Sequence, residues 1–304
     1  MATTRWIDKK TTSLDRAIEL LLNIEIKNTN EVENCSKKTV EYTNWNMRKE
    51  FETKEIARMN NTEIEYNCIY YSYDKITPGE QPIIDRTFRY SGNIIVFKYG
   101  EDVNYIIDMN SNAKLMLRKM LGYTGKNEIE PNSSAISSDV FLWMISKVYL
   151  EEGEIEQDDD TILVVDKIIG FRGDATDQKT TVAANGKTVM DLISTLSFLL
   201  ESNSLNQIKV SVHYGSHSRI NILINTKPTI DILQNEYIGA YMEEANPNIV
   251  RAKLYLLTYL EIFPRLMAAY CSDIQNDIWS EERKKEFYQR VGQEITNRIQ
   301  EKLK

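Results

Sequence analysis

The sequence predicts an α+β fold: an N-terminal antiparallel β-meander with helices, followed by a second α+β unit that ends in a helical bundle. Three observations carry the prediction. Residues 63–108 alternate apolar and polar side chains in short runs divided by turn residues. An aperiodic stretch with breakers at Gly125 and Pro131 then runs from Tyr123 to Ser138, in a chain whose 304 residues are enough for one core to divide. The C-terminal part carries long segments of helical period, the last with one apolar stripe. Two domains are therefore expected, residues 1–130 and 131–304.

Each element has a local reason. Ser13 suits an N-cap, and Leu14, Ile18, Leu21, Leu22 and Ile26 recur at helical spacing. Asn28 to Lys38 is polar and reads as a loop. In the meander, Ile64, Tyr66, Cys68 and Tyr70 alternate along one strand and Phe88 and Tyr90 mark the next. Ile95, Phe97 and Tyr99 follow, then Val103, Tyr105 and Ile107. Thr77-Pro78-Gly79, Ser91-Gly92-Asn93 and Tyr99-Gly100-Glu101-Asp102 supply turns. A helix from Ser111 to Leu121 packs through Leu115, Leu117 and Met120.

Past the boundary, Asp139 opens a helix whose run Phe141-Leu142-Trp143-Met144-Ile145 is apolar all round and so buried. An acidic connector, Glu151 to Asp160, enters a strand from Ile162 to Phe171, and residues 173–186 read as turns. Thr188 to Leu200 reads as a helix, and Ile208–His213 with Ile220–Ile224 as a hairpin. Helical segments near 229–244, 249–275 and 280–303 finish the chain, the second kinked at Pro264.

Composition bounds the chemistry. There are two histidines, His213 and His217, and three cysteines, Cys35, Cys68 and Cys271. So few weigh against histidine-based hydrolysis and against a transition-metal centre, and no metal or cofactor is expected. The cysteines are odd in number and lack CxxC spacing, which fits free thiols in a reducing cytoplasmic compartment. Met1 to Lys10 is polar, so no secretory leader is expected, and no membrane span either. The most apolar stretch, Val250 to Cys271, is broken by Arg251, Lys253, Glu261 and Arg265. The net charge of −8 lies mostly in residues 131–304, so neither part has the positive field of a dedicated nucleic-acid binder. Abundant Asn, Ile and Lys with sparse Gly and Pro fit AT-rich coding, as in low-GC bacteria, their phages and mobile elements.

Several constellations carry candidate chemistry. His213 and His217 flank a hairpin tip, and a hairpin supplies two ligands where zinc wants three or four. Asn185-Gly186-Lys187-Thr188 resembles the second half of a phosphate loop, but Thr181 occupies the place of the first glycine. Asp166 on an apolar strand, with Asp177 and Lys179 downstream, has the residue order used by Mg²⁺-dependent nucleases of the restriction-endonuclease type. There the carboxylates hold the ion and the lysine activates water; here Gly173-Asp174-Ala175-Thr176 reads as a turn where such a site needs a strand.

Arg86, Arg89, Lys98 and Tyr99, interleaved with Phe88, Tyr90 and Tyr105, suit a sheet face for single-stranded nucleic acid. The opposing expectation is that these aromatics line the sheet's buried face. Phe287, Val291, Ile295, Ile299 and Leu303 make one stripe on the last helix, which can dock on its own chain or on a partner.

The expected function is a non-enzymatic interaction protein, a subunit or inhibitor within a larger intracellular assembly, with bacterial or phage defence as the setting its composition suits. It self-associates or binds a protein partner, with Phe287, Val291, Ile295 and Ile299 as the expected interface. A nucleic-acid-binding subunit is the second expectation and a Mg²⁺-dependent nuclease the third.

Overall fold

The computed structural model describes residues 2–23, 29–32, 39–59, 62–110, 112–132, 135–155, 161–175, 181–185 and 193–304. The chain is α+β, with antiparallel sheets, and it folds as two compact units. The first unit comprises Met1–Ser134 and Asn246–Leu256; the second comprises Ala135–Ala245 and Leu257–Lys304.

The first unit runs β1 (Thr4–Asp8), α1 (Leu14–Leu22), β2 (Thr29–Val32), β3 (Thr39–Lys49), β4 (Glu55–Met59), β5 (Thr62–Ile76), β6 (Thr87–Tyr99), β7 (Asp102–Ile107), α2 (Ala113–Leu121) and β8 (Ile129–Pro131). Its described strands form one sheet in the order β2-β3-β5-β6-β7-β1-β8, with β4 pairing β5. Period-two alternation gives that sheet two apolar faces. On one, Ile69, Tyr71, Ile94, Val96, Val103, Tyr105 and Ile107 form a core with Leu14, Ile18 and Leu21 of α1 and Met116, Leu117 and Met120 of α2. On the other lie buried Ile64, Tyr66, Cys68, Ile95 and Phe97. Ser13 caps α1 by accepting the Arg16 N–H at 3.3 Å. Asp8 ends β1 inside the core, where one carboxylate oxygen accepts the hydroxyls of Tyr105 (2.6 Å) and Tyr123 (2.9 Å).

The second unit supplies α3 (Ser138–Tyr149), β9 (Glu154–Ile155), β10 (Leu163–Ala175), β11 (Thr181–Asn185), α4 (Ile193–Glu201), β12 (Ser202–Tyr214), β13 (His217–Asn225) and β14 (Ile230–Ile232). Then come α5 (Pro247–Leu257), most of which belongs to the first unit, and α6 (Phe263–Gln275) and α7 (Glu281–Lys302) of the second. The sheet order is β11-β10-β12-β13-β14, with β9 pairing β10. Helix α3 packs on β10 and β12, and α7 packs on α4. Asp139 ties the helices together by accepting from the Tyr270 hydroxyl (2.7 Å) and the Trp279 indole (2.9 Å) and pairing with Lys284 (2.8 Å). Burial pushes its carboxyl up, but those three hydrogen bonds outweigh burial and hold it below its ordinary value.

Between α5 and α6, Thr258–Ile262 forms a π-helical turn, with the Phe263 N–H bonded to the carbonyl five residues back. Pro264 lacks an N–H and crowds the preceding turn, so the expected kink takes this form. Among the described residues no helix is long and apolar enough to cross a membrane.

Several expectations need correction. Ser91-Gly92-Asn93 is no turn: it lies inside β6, which pairs with β5 without interruption from Thr87 to Phe97. Glycine is required there for close approach, since a Cβ at Gly92 would sit 2.7 Å from the Tyr71 hydroxyl and 2.9 Å from Asp108. Thr29–Val32, read as loop, is an edge strand on β3. Gly173-Asp174-Ala175 continues β10 beyond the expected end at Phe171. The helix expected near 229–244 is instead β14 with two short 3₁₀ turns, because Ile230 and Ile232 alternate and pair with Ile224 and Ile222. Thr181–Asn185, expected among turns, is strand β11 on β10, and the sequence pattern gives no expectation for β1, β3, β4, β8 or β9.

Candidate functional site

The long β5–β6 ladder builds a β-arm at the edge of the first unit. Strand β3 borders β5 as far as the Glu41–Ile76 pair. On the other side β7 pairs with β6 only from Ile94 onward and Asp108 bonds Asn93, so residues 87–91 of β6 are left as an outer edge among the described residues. One face of the arm continues the helix-covered core as a run of aromatic rings. Tyr73 lies at its centre, 4.7 Å from the Trp45 ring, 5.8 Å from Tyr42 and 5.4 Å from Tyr90. Tyr73 is buried, whereas Tyr90 is 43% exposed and Phe88 49%. Burial, reinforced by the neighbouring Tyr42 and Tyr90, drives the Tyr73 hydroxyl pKa well above its ordinary value, so it stays protonated at neutral pH.

The tip, residues 77–86, is pinned by its own backbone. The Thr77 N–H bonds the Arg86 carbonyl at 2.9 Å, and the Arg86 guanidinium donates to the carbonyls of Thr77 (2.9 Å) and Gln81 (3.1 Å). Pro82 precedes a 3₁₀ turn, Ile83–Arg86, closed by the Thr87 hydroxyl on the Ile83 carbonyl at 2.6 Å. That turn projects Ile83, 60% exposed, and Ile84, 82% exposed. Large apolar side chains held outward on a fixed turn bind with little ordering cost, which is how interface anchors work. Neither isoleucine is among the residues that the sequence pattern singles out. Their signal was present: two adjacent large apolar residues between Pro82 and Asp85, where a turn should be polar.

The candidate nucleic-acid residues are placed apart. Arg86 is bonded to tip carbonyls, and Arg89 is exposed on β6 opposite Asp74. Lys98 and Tyr99 are exposed at the far end of the strand, nine residues from Arg89 in the case of Lys98, or roughly 30 Å at strand rise. Lys98 shares a face with Phe88 and Tyr90, and Tyr99 with Arg89, by strand alternation. Arg5 lies 5.3 Å from the Tyr99 ring centre. The alternative that Phe88 and Tyr90 line the buried face is overturned by their exposure: the core beneath α1 and α2 ends before them.

The nuclease candidates are only partly described. Asp166 is exposed at a register shift between β10 and β12, 3.7 Å from Lys167. Asp177 and Lys179 lie outside the described residues, as do Gly186, Lys187 and Thr188 of the incomplete phosphate loop. Among the described residues no group of three or more His, Cys, Asp or Glu could hold a metal ion.

On α7 the stripe divides. Phe287 and Val291 are buried in their own unit, Phe287 edge-on to Tyr149 at 5.6 Å, while Ile295 is half-buried and Ile299 exposed.

His217, expected as a simple hairpin-tip residue, is buried, with Nδ1 2.6 Å from the Tyr237 hydroxyl. That hydroxyl oxygen accepts the Tyr241 N–H at 2.9 Å and can donate its proton to Nδ1. Burial, and next the nearby His213, lower the His217 pKa from 6.5 to about 4. The unfolded chain therefore binds this proton first as pH falls. Stability contributed by the neutral ring is full above about pH 6.5 and is lost progressively down to about pH 4, by up to about 3 kcal/mol. Urea unfolding across that range should show the loss, and His217→Gln should flatten it; the same pH slope in both proteins would refute the assignment.

No known family model matches this chain, and no curated protein sequence matches it.

Proposed function

We propose that the chain is a non-enzymatic interaction protein, a cytoplasmic subunit or inhibitor of a larger assembly, that engages a protein partner through the tip of its β5–β6 arm. The observation that carries this reading is the pinned tip with Ile83 and Ile84 held into solvent, followed along the arm by half-exposed Phe88 and Tyr90. A patch of that kind costs solubility and, in a selected protein, marks a contact surface. The thiols of Cys68 and Cys271 are free, which suits a reducing compartment. The AT-rich composition suits a bacterial or phage conflict system.

Single-stranded nucleic acid is the second reading, favoured by the exposed rings of Phe88 and Tyr90 beside Arg89. It ranks lower because the arm's other arginine, Arg86, is spent on backbone carbonyls. Co-isolation tests the proposal. The wild-type protein should carry a partner from its own cells, and Ile83→Asp with Ile84→Asp should lose it. Because both side chains are exposed, that double variant should unfold within about 1 kcal/mol of the wild type.

A further inference from the structure

We propose that the outer edge of β6, Thr87–Ser91, is a strand-addition site for an extended peptide segment of a partner protein whose side chains alternate apolar and acidic. The inference rests on the arm being the interaction surface, and it deepens that reading by naming the segment bound.

Backbone direction comes first. The Asn93 N–H bonds a carboxylate oxygen of Asp108 at 2.9 Å, and the Asn93 carbonyl accepts the Asp108 N–H at 3.0 Å. Both groups of Asn93 thus point away from β5. In a strand of period two, without a register shift against β5, the N–H and C=O groups of Ser91, Arg89 and Thr87 point the same way. There β7 has ended, and among the described residues no strand pairs with these groups, which form an open ladder.

Sheet edges are normally blunted by proline, bulges, lysine or a covering element. Residues 87–93 have no proline, no bulge and no lysine, and Phe88 to Ser91 are exposed. Side-chain chemistry then selects the occupant. A strand laid along this edge would place one set of side chains beside Phe88 and Tyr90, which favour apolar neighbours. The alternate set would lie beside Arg89, flanked by Thr87 and Ser91, and Arg89 makes no hydrogen bond or ion pair with any described residue. Asp74, across from it, accepts instead from Asn44 at 2.7 Å. An acidic side chain is the complement. A second copy pairing about this short edge would set its own Arg89 opposite or diagonal to the first, a like-charge contact.

The test is selection of a displayed library of random peptides about eight residues long, one strand's length, on the full chain. Enriched peptides should alternate apolar with Asp or Glu. Ser91→Pro removes an outward N–H while sparing the β5 ladder, a place where proline is tolerated, and should weaken the selected peptides roughly tenfold or more at unchanged Tm. Selection on Arg89→Glu should shift the enriched charge from acidic to basic. Random sequences, or a motif bound equally by both variants, would overturn the proposal. So would labelled single-stranded oligonucleotide binding that Arg89→Glu abolishes while no peptide motif emerges. If the wild type still carries a partner that the tip variant loses, while no alternating motif is selected, strand addition fails and the interaction reading stands. If no partner is carried either, both fail.

Discussion

Val291→Asp should destabilise the second unit by about 4 kcal/mol without changing molecular mass. Val291 is fully buried on α7. The substitution forfeits about 1.5–3 kcal/mol of apolar burial and adds about 1–3 kcal/mol for burying a polar group without a partner. For a unit of this size the Tm should fall by roughly 10 °C. Ile299→Asp, on the same stripe but 47% exposed, should change stability by less than about 0.5 kcal/mol. Differential scanning calorimetry with light scattering reads both quantities. The opposite pattern, unchanged Tm with a halved mass for Val291→Asp, would make the buried end of the stripe a subunit contact.

Arg251→Met should cost about 3–5 kcal/mol. Arg251 of α5 pairs with the buried carboxylate of Asp108 while stacking over Tyr255 at 4.8 Å. Removing the guanidinium leaves Asp108 charged in a low-dielectric site, with the Asn93 N–H as its one remaining donor among the described residues. Pairing Arg251→Met with Asp108→Asn should recover most of the loss, because the amide oxygen keeps the Asn93 bond and the stranded charge is gone. Chemical denaturation of the four proteins closes the cycle. A single variant costing under about 1 kcal/mol would show that the pair contributes little to seating α5.

The fold class was legible because it depends on period. Ile64, Tyr66, Cys68 and Tyr70 recur at period two, as do Val103, Tyr105 and Ile107, and Ser13 stands where a helix must be capped. What failed was punctuation. Gly92 looks like a turn residue in any one-dimensional reading, since its real reason, the Tyr71 ring and Asp108 against its Cα, comes from strands distant in sequence. Thr29–Val32 is polar because an edge strand need not be apolar, so its alternation is weak. Ile230 and Ile232 were read at helical period because three residues cannot distinguish periods two and 3.6.

The site was half legible. Arg86 and Arg89 lie on the arm, but sequence could not show that Arg86 would close onto the carbonyls of Thr77 and Gln81. Nor could it show that β7 stops short of the arm, which is what exposes Phe88 and Tyr90. Exposure at an edge depends on where the neighbouring strand ends.

Native mass spectrometry of the protein isolated from its own cells, beside the Ile83→Asp, Ile84→Asp variant, decides whether the tip holds a partner. The chain alone has a mass of 35.3 kDa. The wild type should run as a heavier species that contains a protein partner, and the variant as the chain alone with an unchanged Tm. A wild type found only as the free chain, or a variant that keeps the same partner in the same amount, would contradict it.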